Sequence, residues 1–539
     1  MRHIIFILFL IFFCSNFIGS QPIVREFRLG AWGIFPWVEP NPNEQDKLEE
    51  VNANHINAWI LNPNDNVYTH YPSTYPDDFS EDDIIWLERE WMYYLNTTDI
   101  GMYVGMNGWH DGTNQWEGQI EYYASHLAWT TLSEFKNVFD DYLVEFEYDE
   151  GLQGYYVSHE DIHDSARQNR IENMLDYINT EDGDPAHELV IEHGDFYTWA
   201  ANNTDKYDIF EHTFYVFEEG DDYATVSHQS DLDDLINEAN DNMNNLIGTD
   251  VDWHAIIQTY AFTPVSGGLE TTTPAGMESA TSESDRRWPT REEMFASAYL
   301  CLTRGARSIK TFLYGSTPTF DNSGNKTGTL EGLLTEDFTG GNRPIREVNY
   351  PFHFGEKPFN YVKGLLAELD VIKDVFPQIE VDQAYTATNE NGTRPADAYV
   401  TTTGNWVEAG IFDNRVSPDP DQKYILLVNR VCNNSDGSPA ASQTITATFP
   451  NCSTHTAYTV YDYMEDRTYL FYTDADGAFE FTYTLPPGRG RLFEVNKYSN
   501  TWSGTFYISN DLTIPANESV SVQPQSTLKF DYGTFLNVN

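Results

Sequence analysis

Between about residue 27 and residue 314, short apolar runs alternate with stretches whose apolar residues recur at helical spacing. The runs at 27–32, 56–61, 101–106, 152–157, 188–191, 207–210, 255–260 and 309–314 are predicted strands. Ser80 with Asp83 three residues on makes a capping box, which predicts a helix through Leu95. Eight strands alternating with helices fit a TIM (β/α)8 barrel better than an open doubly wound sheet. No Gly-x-Gly-x-x-Gly follows a strand and no P-loop is present, which weakens a nucleotide-binding alternative. A further amphipathic helix is predicted over 361–376. From about Ala384 the period drops to two. Runs at 399–403, 406–411, 424–429, 444–449, 458–462 and 479–483, closed by 486–495, read as an antiparallel β-sandwich. Past residue 498 come shorter alternating runs at 511–515, 519–524, 527–530 and 534–538. They resemble the opening turns of a parallel β-solenoid. The expectation is that the chain is a piece of a longer protein; the alternative is a last hairpin of the sandwich. The predicted division is 1–20 leader, 21–380 barrel, 381–497 sandwich and 498–539 solenoid-like segment.

The most sharply defined unit is 288–314. Thr290 is suited to an N-cap and Glu293 stands three residues on. Met294, Ala298 and Leu302 repeat on one face, and Gly305 stands where a C′ residue adopts positive φ. The run 309–314 follows as a buried strand. This Pro-Thr-x-Glu-Glu helix running into Gly-Ala-x-x-Ile and an aromatic strand end resembles the last helix and eighth strand of family 42 β-galactosidase-like glycoside hydrolases. The resemblance implies a carbohydrate substrate, a strand-four glutamate acting as proton donor, a strand-seven glutamate acting as nucleophile, and a small C-terminal sandwich beside the barrel.

Composition changes the picture in three places. Met-Arg-His followed by an apolar run to Phe13, with the small Ser20 before Gln21, predicts a signal peptide and a secreted, periplasmic or cell-surface product. No later stretch is long enough for a transmembrane helix, so no membrane insertion is expected. Acidic residues number 84 against 30 basic, a net charge of −54, which argues against nucleic acid as a partner. Protein partners are left undetermined. Cys432 and Cys452 fall in neighbouring predicted strands, so a disulfide is expected between them. Cys301 reads as core. Without CxxC or zinc spacing, no cofactor is expected.

Reactive groups of such a barrel sit at strand C-termini. Glu160, with Asp161 beside it, follows strand four, where the resemblance puts the proton donor; the ordinary alternative is two acids capping the next helix. The strand-seven position holds Gln258, which cannot form a glycosyl ester. Glu192, Asp195, Glu211 or Glu270 would then supply the second carboxylate, or the barrel only binds glycan. A competing pattern is His159–Glu160, Glu192–His193 and Glu211–His212, three strand-end pairs that could hold a divalent ion in a metal-dependent hydrolase; otherwise these histidines, with Gln258, are candidate substrate-binding residues of a sugar site. Trp32, Trp37, Trp109, Tyr260 and Tyr314 are candidate sugar-stacking rings. Arg286 and Arg287 would bind an acidic sugar or form salt bridges.

Overall fold

The computed structural model describes residues 25, 27–32, 55–58, 101–105, 131–146, 149, 151–159, 165–182, 184, 186–193, 198–218, 223–227, 229–266, 269–270, 286–312, 317–320, 326–336, 345–347, 357–390, 394–473, 475–499, 501–509, 512–514 and 519–538. Eight strands form its first part: β1 (Arg28–Trp32), β2 (His55–Ala58), β3 (Gly101–Gly105), β4 (Leu152–His159), β5 (Glu188–His193), β6 (Ile209–Phe214), β7 (Asp252–Gln258) and β8 (Ser308–Phe312). They pair in parallel and close into a barrel in the order β1-β8-β7-β6-β5-β4-β3-β2. Closure is made at Gly30, which pairs with Lys310 of β8 on one side and His55 of β2 on the other. Outward residues such as Leu29, Val104, Ile191, Phe210 and Ile257 join the core shared with the helices. Helices α1 (Leu132–Phe146), α2 (Ser165–Glu181), α3 (Ser230–Leu246), α4 (Arg291–Thr303) and α5 (Pro358–Asp370) belong to that layer. The predicted leader and the helix expected after Ser80 lie outside the described residues.

Strand β7 starts earlier than the apolar run that predicted it. Asp252 and His254 belong to the strand because their side chains face a barrel interior that holds charges. In β4, Gly154 sits at φ +148°, and a Cβ there would lie 1.9 Å from the carbonyl oxygen of Glu188. Only glycine permits that approach of β4 to β5.

Helix α4 starts as expected. The Thr290 hydroxyl accepts from the Glu293 amide at 3.2 Å, and the Glu293 carboxylate accepts from the Thr290 amide at 2.8 Å. Gly305 follows its end at φ +87°. The single apolar face read from the sequence is too narrow, since every residue from Glu292 to Thr303 is buried. The second cover is the sandwich. Its strand Gln422–Asn429 sends Ile425 and Leu427 into the sandwich core and Tyr424, Leu426 and Val428 into the barrel-side core. A strand buried on both faces explains the unbroken apolar run. Glu408, wholly buried, pins the seam between Arg304 at 2.7 Å and Arg430 at 3.1 Å, and Arg430 reaches Asp233 on α3.

The sandwich pairs one sheet containing Ile379–Thr386, Val407–Asn414, Gln422–Asn429, Gly490–Tyr498, Ala457–Asp462 and Arg467–Tyr472 with a second of Thr401–Thr402, Gln443–Phe449 and Phe479–Leu485. The expected disulfide is absent: Cys432 and Cys452 are both free thiols. Consecutive predicted strands proved to lie in different sheets. Cys432 follows the first sheet's strand and is buried at the seam, its amide on the Ala224 carbonyl, while Cys452 follows a strand of the second sheet.

The last segment forms two stacked rungs. Thr501–Trp502, Thr505–Ile508 and Leu512–Ile514 pair in parallel with Ser521–Val522, Thr527–Phe530 and Leu536–Val538. That is the solenoid arrangement, not a hairpin. Among the described residues no helix is long and apolar enough to cross a membrane.

Candidate active site

The barrel interior holds three zones. At the N-terminal end, Asp252 lies 2.9 Å from Arg307, 3.3 Å from Arg415 and 3.6 Å from Arg25. Glu188 lies 3.2 Å from Arg28 and 3.4 Å from Arg25, and accepts from the Tyr103 hydroxyl. Burial and the adjacent Glu188 push the Tyr103 phenol well above its ordinary value, so it stays a donor. Above this network Tyr103, Tyr156, Val190 and Ile209 pack as an apolar floor.

Beyond the floor, toward the C-terminal end, come two glutamates. Glu192 and Glu211 are Cα partners across β5 and β6, and both are fully buried. Inward alternation along each strand explains why both face the interior. Glu192 accepts from the Tyr156 hydroxyl at 2.7 Å. Glu211 contacts the ammonium of Lys310 from β8 and lies 3.6 Å from Nδ1 of His254 on β7. Burial alone would raise the Glu211 carboxyl, but Lys310 and His254 hold it below its ordinary value. Burial pushes His254 down to about 4, so its imidazole is neutral at pH 7. Two neighbouring carboxylates with different surroundings are the usual route to distinct acid and base roles.

At the rim, Tyr215, Tyr260 and Phe312 form a cluster, Tyr260 crossing edge-on at 5.4 Å and 5.1 Å from the other two rings. Tyr215 is half-exposed, which suits stacking on an apolar sugar face.

The structure brings together Glu192 and Glu211 from among the expected residues, puts Tyr260 in the rim cluster, and separates others. His212 is a correction: it points outward, bonded to Asn242 of α3 at 2.9 Å and stacked on Phe214 at 4.4 Å. It follows the inward Glu211, and adjacent strand residues take opposite faces. His212 therefore neither lines the barrel interior nor completes a metal set with Glu211. Gln258 faces inward, but its amide donates to the carbonyls of Arg287 at 2.8 Å and Phe217 at 3.1 Å, while its oxygen accepts from the Phe217 amide. It ties loops at the rim, which is a structural task. Arg287 pairs with Glu293 at 2.8 Å and Arg286 with Glu218, so both form salt bridges.

Trp32, His159 and His193 end β1, β4 and β5, Glu270 ends the short strand Leu269–Glu270, and their side chains lie outside the described residues. Glu160, Asp161, Asp195, Trp37, Trp109 and Tyr314 also lie outside them. Among the described residues no group of three or more His, Cys, Asp or Glu is placed to hold a metal ion.

Tyr156, His254, Lys310, Tyr215 and Phe312 were missed. Lys310 carried a signal, a lysine in the middle of a buried apolar strand. Counting in twos from Glu211 would also have reached Tyr215 on the inward face.

No protein-family model matches the chain, and no curated protein sequence matches it. Solved structures similar in chain path include one described as a glycoside hydrolase, 12% identical, covering 87% of this chain and 92% of that one, at a TM-score of 0.48. Another is a glycoside hydrolase family 5 protein from Bacteroides vulgatus ATCC 8482, 12% identical, covering 87% and 89%, at 0.48. A GH39 enzyme from Xanthomonas axonopodis pv. citri is 11% identical, covering 89% and 96%, at 0.41. Likeness at this level carries no information about activity or substrate.

Proposed function

We propose that this chain is an exported glycoside hydrolase that cleaves a glycosidic bond with acid assistance. Glu160 is the proton donor and Glu192 its partner carboxylate. The observation that supports this reading is the placement of Glu192: fully buried near the C-terminal end of β5, its Cα paired with His159, the residue before Glu160. Glycoside cleavage needs two carboxyl groups flanking one bond, with the donor's pKa raised. Glu211, engaged by Lys310 and His254, sets the charge balance behind Glu192. Tyr215 and Tyr260 supply rings for the sugar, as do Trp32, Trp37, Trp109 and Tyr314. The α4–β8 unit resembles family 42 β-galactosidase-like enzymes, so β-galactosides are the first substrates to try.

One observation favours a second reading. At the end of β7, where the resemblance implies a nucleophile, the Gln258 amide is committed to backbone groups. A barrel that binds glycan without cleaving it would have that feature. A metal-dependent hydrolase is disfavoured by the outward turn of His212. The test is turnover on a panel of nitrophenyl glycosides, compared with Glu160→Gln. The expected loss in kcat is roughly 10²-fold or more, the scale of acid catalysis. Near-normal turnover in the variant refutes the donor role. No turnover on any glycoside, together with glycan binding, supports the binding reading.

A further inference from the structure

The start of the 288–314 unit does more than cap a helix. A capping box needs the Glu293 carboxylate only at the Thr290 amide. Here that carboxylate accepts four hydrogen bonds: from the Thr290 amide at 2.8 Å, from the Arg287 guanidinium at 2.8 Å and 3.1 Å, and from the Ala224 amide at 3.0 Å. Glu293 and Arg287 are both buried. Burial alone would raise the Glu293 carboxyl, but Arg287 and the two amides hold it below its ordinary value, so the pair is charged. A buried ion pair adds little stability over an apolar pair of the same size. What it can supply is a fixed geometry.

The geometry fixed is that of the connection from β6 to α3. Its Phe217 and Tyr223 rings lie 5.0 Å and 5.3 Å from the Arg287 guanidinium, and the Arg287 amide donates to the Phe217 carbonyl at 3.2 Å. Gln258 of β7 bonds both the amide and the carbonyl of Phe217. The sandwich holds the same connection. The Ala224 carbonyl accepts from the amides of Cys432 at 3.2 Å and Asn433 at 3.1 Å, and the Thr290 hydroxyl donates to the Asn433 side chain at 3.1 Å. Gly437 sits at φ +78°, and a Cβ there would lie 2.6 Å from the Tyr223 ring. Two residues before Phe217 comes Tyr215, the half-exposed ring of the rim.

We propose that Arg287 is a positioning residue of the sugar site: gripped by Glu293, it fixes the connection after β6 and so keeps the Tyr215 ring in place at the rim. The inference rests on the reading of Tyr215 as a ring that stacks on sugar. It also gives the sandwich a part in substrate binding, because Cys432, Asn433 and Gly437 hold the far side of the same connection. Arg287 touches no substrate in this arrangement; it acts through Phe217 and Tyr223. A pair that served stability alone would lower the melting temperature and leave substrate binding by the folded protein unchanged.

The test is a double-mutant cycle on the intact chain, read as KM and kcat on whichever glycoside the parent turns over. For a chain that binds glycan without cleaving it, Kd takes the place of KM. Tyr215→Ala should raise KM roughly three- to tenfold, the scale of an aromatic contact, with kcat near that of the parent. Arg287→Met should do the same, and the double variant should lose no more than the larger single one. Arg287→Lys keeps a charge beside Glu293, and with it the fold, but an ammonium does not reproduce the planar fork, so its KM should lie between. In both Arg287 variants, hydrogen exchange should quicken in peptides covering Phe217 and Ala224 and stay unchanged in the sandwich strands. Effects of Tyr215→Ala and Arg287→Met that multiply overturn the proposal, as does parent-like exchange at Phe217 and Ala224 in folded Arg287→Lys. If Tyr215→Ala raises KM and the folded Arg287 variants do not, the reading of Tyr215 stands and the positioning claim alone falls. If Tyr215→Ala leaves KM unchanged, the reading of that ring fails and the inference falls with it.

Discussion

At the N-terminal end of the barrel, Glu188 and Asp252 meet guanidinium groups, with the Tyr103 phenol also donating to Glu188, whereas toward the C-terminal end Glu192 meets a phenol and Glu211 an imidazole and an ammonium. Guanidinium does not give up its proton in proteins, while the imidazole and the ammonium beside Glu211 can. The apolar floor of Tyr103, Tyr156, Val190 and Ile209 stands between the two sets. One end is thus fitted to hold the fold shut, and Arg415 from the sandwich side takes part in holding it. The other end carries the groups that the proposed proton transfer would use. Charge burial alone does not mark an active site; the kind of partner does.

The sharpest way to break this contrast is to remove the central acid of the lower network. Asp252→Asn leaves Arg25, Arg307 and Arg415 without their shared carboxylate. The expected loss is about 3–5 kcal/mol, the usual cost of breaking a buried ion pair. Urea unfolding checks it, and an unchanged midpoint would mean that the lower network is not structural. Turnover per folded molecule should stay near that of the parent. Next comes Gly154→Ala, where positive φ and the Glu188 carbonyl both resist a Cβ. A loss on the order of 3 kcal/mol is expected, read from thermal melting.

A pH experiment addresses the upper end. His254 titrates at about 4 in the fold against an ordinary 6.5. Below pH 6.5 the unfolded chain takes up this proton and the folded chain does not, so stability falls until about pH 4. The total is about 3 kcal/mol, at roughly 1.4 kcal/mol per unit. In His254→Gln the fall between pH 6.5 and 5 should shrink. An identical pH profile would show that the imidazole takes up its proton at the same pH in the folded and unfolded chains, contrary to its burial. The smallest effect is expected from Tyr156→Phe. It removes one hydrogen bond to Glu192, at a cost of about 1–2 kcal/mol.

How far the sequence carries this picture depends on which face a residue takes. The barrel was legible because its outward positions are apolar at regular spacing, and the 288–314 unit because capping and a C′ glycine are local rules. Glu192 and Glu211 were legible as acids ending apolar runs. Their partners were not, since Lys310 and His254 come from β7 and β8, distant in sequence and adjacent only after closure. His212 was misread because adjacency to Glu211 was taken as convergence, whereas a strand sends the two to opposite faces. The disulfide failed for a related reason: strand order in sequence does not say which sheet a strand joins.

The central claim is that the C-terminal half of the barrel interior is reactive and that Glu192 takes part in the chemistry. The most direct measurement is kcat for Glu192→Gln beside that for Asp252→Asn, on whichever glycoside the parent chain turns over, with folding of both verified. Turnover should drop roughly 10²-fold or more in Glu192→Gln, the scale expected when a general acid–base carboxyl is lost. Asp252→Asn should keep its turnover while losing stability. Full turnover in a folded Glu192→Gln would contradict the account, whatever the second variant does.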